Sequence, residues 1–397
     1  MKIGFAEALT VVGLLLIGAA TASGLVQRTV LSISVLSVAA GVVLDLAGVV
    51  TVDPGAPSLV LVVELVLLVT LFSDGLLVER EFLREHWRAP ARALVLAMPL
   101  NAAFLALAAK ALFGDLSWTE ALLVGFVLSP TDPVITSSVV TSAKVPARVR
   151  NILNLESGLN DGLALPFVLL FLELSTGEAG SVLEATGSLG LETVLGLAAG
   201  VVLALAAGTL LDRLPGWAVE RRFEGLYALG LGLLAFGVAE LIGGNGLIAA
   251  FCAGVALAVT RSEMPEVFQE FNESLGSVLQ IVAFALFGAL VVETGFDVPA
   301  LGIAAFVLFA LLIARPASIL LSFVGIPLGR TEKLFIAWFG PKGIASMLFA
   351  LFVLNSSARD RSLAFDLAAF TILASILAHG LTDTVGARWV ERRMADG

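Results

Sequence analysis

The chain is a succession of long apolar runs separated by short polar breaks. Hydropathy places candidate membrane spans at roughly 3–22, 29–50, 58–77, 91–113, 118–141, 151–174, 187–211, 223–241, 245–260, 273–292, 298–325, 331–354 and 364–385. A helix needs about 20 apolar residues to cross a hydrocarbon core of about 30 Å, and only the ninth run falls clearly short. The connections are brief and contain Gly, Pro or charge, with no coiled coil and no low-complexity tail. In lipid every backbone polar group needs an internal partner, so runs of this length predict helices. The expected fold class is an all-α polytopic membrane protein with about 13 transmembrane helices.

Composition agrees with the pattern. The 397 residues are 58% hydrophobic and 14% charged, against roughly 25% charged in soluble domains. The formal net charge of −10 comes largely from acids at loop edges, such as Asp53, Glu178, Glu184, Glu293 and Asp297, which read as solvated rims. The single Cys252 excludes an intramolecular disulfide and any cysteine metal cluster, and His86 and His379 lie too far apart to form a motif. Neither nucleic-acid binding nor a cofactor is expected.

Lys and Arg accumulate in short cytoplasmic loops. With the N-terminus outside, the loops after odd-numbered spans and the tail hold 17 of the 23 Lys and Arg, including Arg80, Arg84, Arg88, Arg92, Arg388, Arg392 and Arg393. Lys2, Lys110, Arg359 and Arg361 fall on the other side, and Arg315 and Lys342 inside spans. Ala20-Thr21-Ala22 resembles a signal-peptidase site. Cleavage there would send the Arg80–Arg92 cluster outside, so residues 3–22 are expected to stay as the first span.

Two spans are interrupted midway. The fifth contains Leu128-Ser129-Pro130-Thr131-Asp132-Pro133, and the twelfth Gly340-Pro341-Lys342-Gly343. Proline removes a backbone donor and crowds the preceding turn, so each helix should open there. Freed backbone at membrane depth is tolerated where protein or a polar cavity satisfies it. The breaks lie seven spans apart and therefore cross in opposite directions, the mark of an inverted-repeat transporter with a midplane site. Two ordinary proline kinks would not explain why each break carries a charge.

Charged groups inside the membrane are costly and read as functional. Asp132 lies in the first break and Lys342 in the second; Arg315 lies in the eleventh span, and Glu156-Ser157-Gly158-Leu159-Asn160-Asp161-Gly162 in the sixth. Ser157 and Asp161 are four apart and share a helical face. Asp161, Ser157, Thr131 and the carbonyls near Pro130–Pro133 form an oxygen set that suits a hard monovalent cation. Asp45, Glu64 and Asp366 also fall in apolar spans but lack comparable context.

The Thr131-Asp132-Pro133, Glu156–Gly162 and Gly340–Ser346 stretches resemble the motifs of NhaP-like sodium/proton antiporters, the Asn-Asp branch of the monovalent cation/proton antiporters. The resemblance runs in order along the whole chain and includes Ser375-Ile376-Leu377-Ala378-His379-Gly380-Leu381. It implies an NhaA-like fold of inverted repeats with two crossing broken helices. Scaffold helices would span 1–80 and 216–295, core helices 81–175 and 296–397, and a linking helix 176–215. Asp161 would carry cation and proton in turn, and Asn160 would stand where the electrogenic branch has a second Asp. Thr131 and Ser157 would supply oxygens, Thr131 through its side chain or its carbonyl. Glu156 would pair with Arg315, and Asp132 and Lys342 would balance the broken helix ends. The resemblance further implies a secondary transporter rather than an enzyme, a homodimer in the cell (inner) membrane, with the C-terminus cytoplasmic, serving pH homeostasis. The exchanged ions would be Na⁺, or Li⁺, and H⁺, one for one because Asn160 cannot titrate.

Two departures stand out. Relatives carry an acid in a Phe-acid-x-Gly-Leu stretch ending the third span, whereas Phe72-Ser73-Asp74-Gly75-Leu76 has Asp one position late. Whether that span supplies a cation ligand is therefore left open by the sequence. Lys342 stands where many relatives have Arg, which removes a bidentate role. The closest competing reading is K⁺/H⁺ exchange on the same fold, since nothing in the ligand set fixes a cavity radius. A pore needs no mobile carboxylate. A polar network that only glues helices does not explain two broken helices and an Arg converging on one region. An intramembrane aspartyl protease, suggested by Gly158-Leu159-Asn160-Asp161, would need a second Asp on an unbroken helix, and Asp132 sits between prolines.

Overall fold

The computed structural model describes residues 5–26, 33–53, 56–76, 87–132, 145–177, 182–213, 220, 223–260, 266–293 and 300–395. Every regular element among them is helical. In chain order these are α1 (Phe5–Val26), α2 (Ile33–Leu46), α3 (Pro57–Leu76), α4 (Arg88–Leu112), α5 (Trp118–Val127), α6 (Ala147–Thr176) and α7 (Val182–Arg213). There follow α8 (Glu224–Leu241), α9 (Gly246–Thr260), α10 (Glu266–Glu293), α11 (Ala300–Ser322), α12 (Arg330–Trp338), α13 (Ile344–Leu354) and α14 (Arg361–Ala395). Eight are long and apolar enough to cross a membrane, and five more are shorter apolar helices. Two of the short ones, α5 and α13, are halves of the spans that proline was expected to interrupt. The stretch of the fifth span from Pro133 onward lies outside the described residues.

Helix ends differ from the hydropathy limits for local reasons. The sixth helix starts at Ala147, just after Pro146, and stops where Gly177 adopts a left-handed φ of 74°. Such a C-terminal cap suits glycine, which has no Cβ to clash. The last helix continues to Ala395 and carries Arg392 and Arg393 in its final turn. Hydropathy reports only the apolar part of such a helix.

Helix pairs approach closely at glycines. A Cβ at Gly41 would run into the Ala285 carbonyl, and one at Gly288 into the Val38 carbonyl, so α2 and α10 each present a glycine to the other. Gly75 and Gly254 do the same for α3 and α9, against the Phe251 and Phe72 carbonyls. Without a hydrophobic drive between helices in lipid, such close backbone packing is what joins them. The outward faces keep large apolar side chains, among them Leu14, Ile17, Val194, Val202, Leu301 and Leu312.

The two ends of the helical body are chemically distinct. At one, Phe323, Phe335, Phe339, Ile152 and Val390 pack together. Beside them Arg92 donates to Val324, Arg148 to Pro327 (2.9 Å) and Lys333 to Phe323 (2.8 Å), all backbone carbonyls. These three cations, which the charge bias assigned to one side, thus share one end. At the other end Ser117 and Glu120 form a capping box on α5, and Glu120 also accepts the Asp360 N–H at 3.0 Å. Burial and the neighbouring Glu120 carboxylate push the Asp360 carboxyl above its ordinary pKa.

Candidate functional site

The two breaks meet. Helix α5 ends before Leu128, and Ser129–Asp132 run without helical structure; α12 ends at Trp338 and α13 resumes at Ile344. The Asp132 N–H donates to the Pro341 carbonyl at 2.9 Å, which joins one break to the other. Lys342 Nζ donates to the Ser129 and Pro130 carbonyls, each at 3.3 Å, so an ammonium faces the C-terminal end of α5. Asp132 Oδ2 accepts the Ile344 N–H at 3.2 Å, so a carboxylate faces the N-terminal end of α13. Each charge opposes the partial charge of the helix end it meets. The glycines flanking Pro341-Lys342 make the room: a Cβ on Gly343 would collide with the Asp132 carboxylate, and one on Gly340 with the Arg315 guanidinium.

The second break is also clipped from α14. The Lys342 N–H donates to Ser375 Oγ (2.8 Å), Ser375 Oγ lies 3.1 Å from His379 Nδ1, and His379 Nε2 lies 2.9 Å from the Trp338 carbonyl. His379 Nδ1 also lies 2.8 Å from the Ser375 carbonyl, so a neutral imidazole donates its one N–H to either the Ser375 or the Trp338 carbonyl. His379 therefore closes the end of α12 while Ser375 holds the start of the α13 loop. Sequence reading noted this stretch but gave His379 no task.

Helix α6 supplies the polar face opposite the first break. Glu156, Ser157, Asn160 and Asp161 are all buried. Arg315 holds Glu156 in a two-pronged pair, Nη1–Oε1 2.8 Å and Nη2–Oε2 3.2 Å, so Glu156 is committed to the guanidinium. Asn160 Nδ2 donates to Thr131 Oγ1 at 2.6 Å, and Thr131 Oγ1 lies 3.1 Å from Ser157 Oγ. Asp161 Oδ1 is buried and has no hydrogen-bond partner among the described residues.

Asp74, whose role the sequence left open, lies at the site. Its carboxyl lies beside that of Asp161, and Asp132 acts on both electrostatically. The acid one position late reaches the site because α3 lies close to α6 there: a Cβ on Gly158 would stand 3.3 Å from the Asp74 carbonyl.

Both helices that flank the ion pair contain a π turn, Ala93–Ala97 in α4 and Ala310–Ala314 in α11. Each lies in the same sequence pattern, Ala93-Leu-Val-Leu-Ala-Met-Pro99 and Ala310-Leu-Leu-Ile-Ala-Arg-Pro316. The proline cannot donate to the carbonyl four residues back, and a widened turn relieves the clash. The second turn ends directly before Arg315 and helps set the direction in which the guanidinium leaves the helix. This repeat was a signal available in the sequence; Asn101, buried just after the first turn, was not.

The arrangement brings together four carboxyls (Asp74, Asp132, Glu156, Asp161) and two basic groups (Arg315, Lys342). One carboxyl pairs with Arg315 and one caps a helix; the other two face each other with oxygens to offer. Carboxylate, hydroxyl and carbonyl oxygens suit a hard cation.

Comparison with known proteins places this geometry. Residues 12–386 match the family described as "Sodium/hydrogen exchanger, transmembrane". The chain belongs to that family. Its fold is that of the sodium proton antiporter MjNhaP1 from Methanocaldococcus jannaschii at pH 8, with a TM-score of 0.80 at 16% identity over 97% of this chain and 99% of that one. Among curated relatives it is 26% identical to the K(+)/H(+) antiporter NhaP of Alkalimonas amylolytica over 336 residues, 83% of this chain and 57% of that protein. It is 29% identical to a probable Na(+)/H(+) antiporter of Schizosaccharomyces pombe, over 72% of this chain and 40% of that one. The chain spans about half the length of the curated relatives it matches. Family and fold are those of transporters, not enzymes, and the chain is a multi-pass membrane protein.

Proposed function

We propose that this chain exchanges Na⁺, or Li⁺, for H⁺, one for one, by alternating access in the cell membrane, with its N-terminus outside. The observation that carries this reading is Asp161: a buried carboxyl with an oxygen that has no partner among the described residues, beside the crossing of two broken helices. Core helices over 81–175 and 296–397 would move against scaffold helices over 1–80 and 216–295, with 176–215 as the link and scaffold helices as the homodimer contact. Asp161, Asp74, Ser157 and Thr131 would contribute cation oxygens, and Asn160 would hold Thr131 in place. Asp132 and Lys342 would remain charged against the helix ends, and Glu156 against Arg315.

Charge balance supports the one-for-one ratio. Four carboxyls against two basic groups leave an excess of two negative charges. With Glu156 held by Arg315 and Asp132 by the α13 end, Asp161 is the carboxyl that either one cation or one proton would neutralise in turn. The loaded core then has the same charge in either half-cycle. Moving one net charge through 100 mV is worth about 2.3 kcal/mol, so the alternative is measurable. In sealed proteoliposomes with a pH gradient, added Na⁺ is expected to collapse the gradient at a rate unchanged by a potassium–valinomycin potential. A rate that tracks the potential would mean that Asp74 or Asp132 also carries a proton.

Potassium is the second reading, favoured by the names of the Alkalimonas and Shewanella relatives. Gradient collapse by K⁺ at lower concentration than by Na⁺, with the potential clamped by other means, would select it.

A further inference from the structure

A small polar space borders the Glu156–Arg315 pair. It is a cavity of about 10 Å³ bordered by Asn101, Ser129, Glu156, Asn160, Arg315 and Ser318. Its wall is two-fold in origin: Asn101 follows the π turn of α4 and Ser318 the π turn of α11, each three residues past the position equivalent to Arg315 in the repeated pattern. Three buried polar atoms of its lining residues have no hydrogen-bond partner among the described residues: Asn101 Oδ1, Asn160 Oδ1 and Arg315 Nε. A buried polar group left unmet is costly, so native structures satisfy such groups with protein or ordered water.

We infer that this cavity is a binding site for one structural water, and that through it Asn101 is a positioning residue for the ion site. The three atoms ask for two donated hydrogens and one accepted hydrogen. A water supplies both donors and an acceptor, and a space of about 10 Å³ is the room of one such molecule. A metal or alkali cation there would face Arg315, and a halide would face two carbonyl oxygens. The consequence lies in Asn160. Its Nδ2 holds Thr131 Oγ1, which lies against Ser157 Oγ; the water holds its Oδ1. Fixing both ends of one amide fixes Thr131 in the break and, through it, Ser157 on the helix that carries Asp161. Asn101 touches none of the cation oxygens and acts only through the water.

This inference rests on the exchange reading for its functional part and on geometry alone for the water. Two measurements separate them. In an experimental density map of the wild type, a peak within about 3.5 Å of all three atoms is expected; its absence overturns the site whatever the protein transports. In exchange assays, Asn101→Leu fills the position without an acceptor, and the apparent KM for the cation is expected to rise about tenfold while the maximal rate stays within about twofold. Asn101→Ser keeps an acceptor and makes room for water, and is expected to remain within about twofold of wild type in both. Should Asn101→Leu fail to fold, Asn101→Ala takes its place, since it keeps the space but loses the acceptor; a rise in KM of at least about threefold is then expected. A KM equal to wild type in the folded Leu or Ala variant overturns the positioning role, as does a Ser variant as impaired as Leu. A loss confined to the maximal rate also overturns it. Failure of the wild type to exchange any alkali cation would instead sink the functional reading and leave the water to the map.

Discussion

Replacing Asp161 with Asn is expected to abolish exchange, by at least about a hundredfold, without unfolding the protein. The substitution preserves shape and removes the one group that can be neutralised by either ion in turn. An unmet buried carboxylate is costly, so its neutral counterpart should fold at least as well. Asp161 Oδ1 has no partner among the described residues, so no hydrogen bond to it is lost. The neighbouring Asp74 carboxyl can still be met, because an amide donates to a carboxylate or accepts from a carboxyl. Thermal unfolding of purified wild type should shift upward with added cation, as binding to the folded state requires. The Asp161→Asn variant should unfold at or above the wild-type temperature and show no such shift. A folded Asp161→Asn protein that exchanges normally removes Asp161 from the centre of the account and makes Asp74 the next residue to test.

The second large effect is on stability. Glu156 and Arg315 are both buried and joined by two hydrogen bonds of 2.8 and 3.2 Å. Removing one member of a buried pair leaves an uncompensated charge and typically costs about 3–5 kcal/mol, whereas replacing both by neutral groups costs far less. Glu156→Gln and Arg315→Gln are therefore each expected to lower stability by about that amount. The double variant should be milder than the sum, with a coupling of at least about 1.5 kcal/mol in a double-mutant cycle. Arg315→Gln should be the worse single change for transport. It leaves Glu156 free to draw on Lys342, which already feels Glu156 and Asp161 electrostatically and which caps α5. Strictly additive losses, read from reversible unfolding in detergent, would show that the pair contributes nothing as a pair.

The residues at the crossing were legible in sequence because the membrane makes polar groups conspicuous. A Pro-Thr-Asp-Pro or Gly-Pro-Lys-Gly inside an apolar run costs too much to be incidental. The structure brings Asp132, Lys342, Thr131 and the α6 residues to one place, and pairs Glu156 with Arg315. Asp74 was only half legible. A shift of one position turns a side chain by about 100° on a helix, which argues against a shared role. That angle says nothing about how closely α3 and α6 approach, and the approach depends on Gly158 and on the Gly75–Gly254 contact between α3 and α9. Distance between helices is set by packing, and a single sequence does not print it.

The π turns were missed for a different reason. Hydropathy registers apolar length but not the one-residue widening of a turn, although Pro99 and Pro316 marked both places. Asn101 carries no motif and gains meaning only from the unmet atoms across the cavity. His379 lay in a stretch already singled out, but its contact with Trp338 spans 41 residues of sequence and two helices. Long-range partners of this kind are the part of a site that chain order hides.

Cation and proton are expected to compete for one carboxyl, Asp161. The measurement that tests this most directly is the apparent KM for the cation as a function of pH, in proteoliposomes holding wild-type protein with the potential clamped to zero. Competition for a single site makes the KM rise as pH falls, approaching tenfold per pH unit on the acid side, with the maximal rate at saturating cation unchanged. A KM independent of pH, with acid lowering only the maximal rate, would mean that proton and cation occupy separate groups and would contradict the account.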